Sequence, residues 1–265
     1  MIEIRLNIPS RREFQKDVYK PGVISLSRII WGSVGAGLLL LIIGIFSQTF
    51  DVGVLYPPLA ATCFINATCV FLRVARPKAV IVGHFVSTIG GLLGVLIGEI
   101  LFTGTELLIP MKLGLAVLFA AIFMQILDAD HPPAAATAAI PALFPIIPPP
   151  CENIVLPLHM AWGGVIAVVF ALVWNRIWFE WPVDDLTTER TWFNLKMSKP
   201  DIIGTIICIL GFVLMCLKPW IETSYLIGLL VMLIGVIILS VHHFFRVKII
   251  KRKENSSILK DEASG

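Results

Sequence analysis

Two short segments of this chain combine paired prolines with side chains able to bind or move charge. Residues 56–62 read Tyr56-Pro57-Pro58-Leu59-Ala60-Ala61-Thr62. Residues 131–137 read His131-Pro132-Pro133-Ala134-Ala135-Ala136-Thr137, 75 positions later. Proline has no N–H and drives its predecessor out of helical conformation, so a Pro-Pro pair belongs in a first helical turn. The motifs therefore predict helices that start at Pro57-Pro58 and at Pro132-Pro133. A helix start offers unpaired N–H groups and partial positive charge, which together can hold an anion. That chemistry needs no cationic side chain, and neither motif contains Lys or Arg. Thr62 and Thr137 either line such a site or bond back to their own helices.

The ionisable residues around the motifs suggest a second role. His131 occupies an N-cap position beside Asp128 and Asp130, so the cluster either relays a proton or caps a helix. A relay would make an anion–proton symporter electrically neutral. His84 and His159 are also 75 residues apart. They could pair with each other, meet substrate, or be satisfied at helix interfaces. No ligand spacing typical of zinc or iron joins these groups, and no cofactor is expected. A nucleophile elbow and a phosphate loop are also missing, so the chain does not read as an enzyme. Acid–base chemistry at Asp128, Asp130 and His131 is the enzymatic alternative.

These residues must be positioned inside a membrane. Only 15% of the residues are charged and 57% are hydrophobic, with a mean hydropathy of +0.88. That is too little charge for a water-exposed surface. A span needs about 20 apolar residues to cross a core of roughly 30 Å. Stretches at 29–46, 81–102, 111–127, 157–178, 202–217 and 225–245 qualify. Less regular apolar stretches at 54–72 and 131–148 carry the proline pairs. Pro58 to Arg73 would make a helix only about 24 Å long, starting below the outer surface. A second helix, from Pro132 to about Ile147, would start below the inner one. The first 28 residues hold six basic groups and no apolar h-region, unlike a cleavable signal peptide. Four of the five cysteines lie in apolar segments, which is packing usage and not a disulfide framework.

Basic residues accumulate on the cytoplasmic side. With eight crossings, six fall inside at 1–28, three at 73–78, four at 176–199 and six at 246–260. Only Lys112 and Lys218 are left outside. A re-entrant 131–148 segment would put 11 outside and 10 inside. Eight crossings with both termini cytoplasmic is the better assignment.

Each proline motif follows one ordinary span and precedes a glycine-rich one, Gly90-Gly91 in the first copy and Gly163-Gly164 in the second. Three crossings per unit is odd, so the second copy must enter from the opposite side, as in secondary transporters built from inverted repeats. The expected fold is an all-α polytopic membrane protein with two inverted three-helix repeats, about 28–103 and 111–178. Residues 1–27 precede this core. An interfacial linker (179–200), a transmembrane hairpin (201–246) and a basic tail (247–265) follow. The glycine spacing is not regular enough to argue a dedicated dimerisation face, and a homo-oligomer stays open.

The His-Pro-Pro-Ala core, with Arg76-Pro77-Lys78-Ala79-Val80-Ile81-Val82-Gly83-His84, resembles the HPP family of integral membrane proteins over roughly residues 28–178. The resemblance implies a small polytopic protein, with nitrite transport associated with some members. Lipid bilayer, a small inorganic anion and protons are the expected partners, with no role for nucleic acid. A non-transporting membrane subunit is a further alternative. A cysteine placed beside Gly265 is expected to escape an impermeant thiol reagent in intact cells and to react once they are opened. Labelling of intact cells would reverse the topology.

Overall fold

The computed structural model describes residues 2–6, 26–54, 57–69, 72–143, 150–177, 199–241 and 245–249. The helices are α1 (Leu26–Phe50), α2 (Pro57–Thr68), α3 (Pro77–Phe102), α4 (Leu108–Ile126), α5 (Pro132–Thr137), α6 (Ile140–Leu143), α7 (Pro150–Ile177), α8 (Lys199–Cys216) and α9 (Glu222–Val241). A 3₁₀ turn, Arg73–Ala75, links α2 to α3. Among the described residues, six helices are long and apolar enough to cross a bilayer: α1, α3, α4, α7, α8 and α9. The protein is an integral multi-pass membrane protein. Its proline-led segments are not further long spans but short helices between them.

Packing separates central helices from lipid-facing ones. In α3 and α7, 67% of the most apolar window is buried, against 22% in α1 and 17% in α4. Ile100, Leu101, Val117, Leu118 and Ile206 are among the large side chains left exposed. On a membrane protein these face acyl chains, so their exposure has no aqueous cost. Helix association in lipid relies on close approach of small residues. Gly90, Gly94 and Gly98 of α3 lie against Ala120, Ala116 and Lys112 of α4. The four-residue glycine spacing is thus regular, and it serves an internal contact.

α2 is 12 residues long, shorter than the 16 expected. Gly32 on α1 meets Thr68 at the end of α2. The two helices therefore run antiparallel, and α2 begins about 10 Å below the end of α1 at ~1.5 Å per residue. The chain descends to that point through Asp51–Val54. There Ser47 donates its hydroxyl to the Val52 carbonyl (2.5 Å) and accepts the Val54 N–H (3.4 Å). Tyr56 lies outside the described residues.

The second motif departs from expectation. In place of one helix from Pro132 to about Ile147, α5 has six residues and α6 has four, separated by a turn at Ala138-Ala139. Pro141 explains the break, because its ring would meet the Thr137 carbonyl if the helix continued. The Ala138 and Ala139 N–H groups instead bond to carbonyls three residues back, Ala135 and Ala136. α5 runs alongside α3 in the same direction. Gly83 faces the Ala129 carbonyl and His131 Cβ, each 3.0 Å from where a Cβ would sit, and Gly91 lies against the backbone of Ala138. α2 and α5 therefore run in opposite senses, with α2 heading toward the 3₁₀ turn and α5 away from it.

The all-α reading holds for the membrane body. Outside it, β1 (Ile2–Leu6) pairs antiparallel with β2 (Phe245–Ile249), Ile2 opposite Ile249 and Leu6 opposite Phe245. Both segments alternate apolar and charged residues in sequence, the period of a strand. The ladder brings the segments near the two ends of the chain together. The linker up to residue 198 and the basic tail from residue 250 lie outside the described residues. Gly91→Val should lower stability by about 1–3 kcal/mol through overpacking against α5–α6. Gly114→Ala, where nothing lies within 4 Å, should be neutral or mildly stabilising. Thermal unfolding in detergent compares the two.

Candidate functional site

The two motifs converge on one buried cluster. Thr62, in the second turn of α2, places Oγ1 2.7 Å from His84 Nε2 and 3.0 Å from His131 Nε2. His84, from α3, reaches Thr137 at the end of α5 with Nδ1 at 2.9 Å from Oγ1. His131 turns Nδ1 to the Val74 carbonyl at 2.7 Å. All four side chains are fully buried. The imidazole rings lie edge to face, with centroids 5.2 Å apart. Measured along α1 from the Gly32–Thr68 contact, Thr62 is level with about residue 38, near the centre of the apolar stretch 29–50. The cluster is therefore deep in the bundle.

Hydrogen-bond counting assigns the protons. A backbone carbonyl only accepts, so His131 must donate from Nδ1 to Val74. When His131 is neutral its Nε2 is then an acceptor, and the Thr62 hydroxyl donates to it. The other Thr62 acceptor, the Pro58 carbonyl, is farther away at 3.3 Å. With its proton so used, Thr62 accepts from Nε2–H of His84, and His84 Nδ1 accepts from Thr137. The chain of donors runs one way, from Thr137 to Val74. A proton added to His131 makes both its nitrogens donors, so Thr62 must then send its own proton to His84 or Pro58. Protonation at one histidine thus reorders the partner of the other.

The clamp around this network comes from the loops. Arg73, in the 3₁₀ turn, forms an ion pair with Asp128. Asp128 has the left-handed backbone φ of 54° that reverses the chain after α4. The pair ties the turn to the loop before α5, next to the Val74–His131 bond. His131 hydrogen-bonds Thr62 and the Val74 carbonyl, while Asp128 pairs with Arg73. The loop before α5 thus carries one ion pair, and His131 beside it contacts Thr62.

The helix-start chemistry also changes. Pro132 and Pro133 supply no N–H, and the Ala134 N–H is taken by the His131 carbonyl at 2.8 Å. The prolines that start α5 remove the donors its terminus would otherwise offer. In α2, Pro57 and Pro58 do the same for the first two positions. The side chains of the network add hydrogen-bonding groups to these two helix starts.

A sequence profile of the HPP transmembrane region matches residues 21–182, more than half of the chain. The chain belongs to the HPP family. No curated protein and no solved structure matches it. The profile covers both proline motifs and every member of the network of this HPP protein, and it ends before the α8–α9 hairpin.

His159 is not part of the network. Its Nε2 lies 2.6 Å from the Tyr225 hydroxyl on α9, where it helps dock the hairpin. Lys218 adds an ion pair to Asp51 at 3.0 Å and sits 5.1 Å over the Tyr225 ring. The equal spacing of His84 and His159 does not make them partners. The half of each helix that carries them faces a different neighbour: α2 and α5 for His84, the hairpin for His159. Arg73, the Val74 carbonyl and Ser87 are the groups the sequence reading missed. Only Ser87 left a signal, at the i+3 position from His84 on the same face of α3.

Thr62→Val keeps the shape and deletes the shared hydroxyl. It should cost about 1–3 kcal/mol for each ring nitrogen left unpaired, and Thr62→Ser should recover most of the loss. Thermal unfolding of the three proteins tests the assignment.

Proposed function

We propose that this HPP protein moves a small inorganic anion across the membrane, nitrite-like by family resemblance, through the Thr62–His84–His131–Thr137 network. The observation that carries the reading is the network itself. Polar and ionisable side chains deep in a membrane bundle are costly, and they mark substrate or proton pathways. Here both proline motifs, 75 residues apart, contribute to one such cluster.

Opposed proline-led helices support an inverted-repeat arrangement. α2 of the first half packs on α7 of the second, and α5 of the second packs on α3 of the first. The starts of α2 and α5 converge at the network, so the anion meets hydroxyl and imidazole donors where the helix ends alone would give few. A protonated imidazole would offset the charge of a single anion in this low-dielectric setting, which couples anion and proton movement. The termini, paired by the strand ladder, lie on the cytoplasmic side by the distribution of basic residues.

Purified protein in liposomes should pass nitrite with no added chemistry, and a pH-sensitive dye should report protons moving with it. His131→Gln keeps a donor for the Val74 carbonyl and an acceptor for Thr62, and removes the titrating group. It should leave nitrite flux measurable and abolish the accompanying proton signal. A parent protein that passes no anion would sink the transport reading, leaving a non-transporting membrane subunit.

A further inference from the structure

Two buried polar side chains near the network have no hydrogen-bond partner among the described residues. Asn66 is 1% exposed, yet neither Oδ1 nor Nδ2 has a hydrogen-bond partner among the described residues. Ser87 is fully buried, and its Oγ is likewise unpaired. Their neighbours are satisfied. The Asn66 carbonyl accepts from Asn175 Nδ2 at 2.9 Å, and the Thr88 hydroxyl donates to the His84 carbonyl at 2.8 Å. Unpaired polar groups at such depth are rare and call for a ligand or water as partner.

Helical register places both beside the network. Asn66 is one turn beyond Thr62 on the same face of α2, and Ser87 is three residues beyond His84 on the same face of α3. α2 runs toward the 3₁₀ turn while α3 leaves from it, so these steps go in opposite directions. At ~1.5 Å per residue, Asn66 lies about 6 Å to the 3₁₀ side of the Thr62–His84 contact and Ser87 about 4–5 Å to the other. The separation, about 10 Å, is too great for one small ion to span. The direct Thr62–His84 and Thr62–His131 hydrogen bonds lie between them.

We propose that Asn66 and Ser87 are the ligand-contacting groups of two half-sites, one on each side of a barrier formed by Thr62, His84 and His131. Each half-site takes a small monovalent oxyanion. An amide N–H₂ and a hydroxyl are neutral donors, suited to an acceptor-rich ion of single charge. A cation would favour a carboxylate, which neither Asn66 nor Ser87 supplies. The ion passes from one half-site to the other when Thr62 exchanges a histidine partner for the ion. This inference rests on the transport reading above.

The test uses the full-length protein, sodium nitrite as probe, and Asn66→Leu and Ser87→Ala. Without nitrite, both variants should unfold at or above the parent temperature, because an unpaired buried group has been removed. The nitrite-induced rise in unfolding temperature should shrink in each. Half-saturating nitrite in liposomes of fixed orientation should rise at least tenfold on one side only. That side is the 3₁₀-turn side for Asn66→Leu and the opposite side for Ser87→Ala. If Asn66→Leu does not fold, Asn66→Ala serves for the same comparison. Variants of a transporting parent that keep the parental half-saturation and nitrite response would overturn the half-sites and leave transport standing. Equal effects from both sides would replace two half-sites by one and overturn the proposal. A parent without flux removes the transport reading itself.

Discussion

One hydroxyl organises the centre of this protein. Thr62 Oγ1 carries one proton and two lone pairs, and it faces two imidazole nitrogens at 2.7 and 3.0 Å. It can donate to only one of them at a time. In water that choice would matter little, since solvent would satisfy the other ring. In a buried, low-dielectric site an unpaired group is costly, so the protonation of one histidine dictates the bonding of its neighbour. The surrounding structure serves to keep these three groups in register.

Several features that look unrelated in sequence contribute to that register. Gly83 has no Cβ, which allows the backbone before α5 to lie against α3 and sets His131 beside His84. The Arg73–Asp128 ion pair holds the 3₁₀ turn against the same loop. The Val74 carbonyl then fixes which nitrogen of His131 carries the proton. Pro132 and Pro133 start α5 without offering donors of their own, so the side chains define the local chemistry. Pro141 ends the helical run after Thr137, which leaves that hydroxyl at the end of a short helix facing His84.

The α8–α9 hairpin belongs to a different layer of organisation. It lies outside the family match, and its two helices pack more extensively on each other than on the core, with Gly204, Gly211, Gly228 and Gly235 at the closest contacts. Its buried apolar residues join the core cluster of α1, α3 and α7, and specific contacts add to this. His159 meets Tyr225, Lys218 meets Asp51, and Phe212 stacks on Phe46. Asp51 opens the stretch that descends to α2, so the hairpin touches the chain immediately before the first proline motif. The attachment is peripheral to the histidine network and shares no residue with it.

The sequence by itself determined what local rules encode. Long apolar runs with little charge specify a membrane bundle. Proline pairs specify where helices begin, and α2 and α5 start at Pro57 and Pro132. These signals act within a few residues or through the solvent, so they survive without knowledge of the fold. Tertiary packing alone decided the partners. His84 bonds across 22 positions to Thr62 and 53 to Thr137, and not to the equally spaced His159. Asp128 pairs with Arg73 of the 3₁₀ turn, and the second motif breaks after six helical residues. The physical reason is that a buried polar group takes whichever partner the helix contacts bring within about 3 Å. Those contacts depend on glycine-mediated approach between segments far apart in the chain, which no local pattern contains.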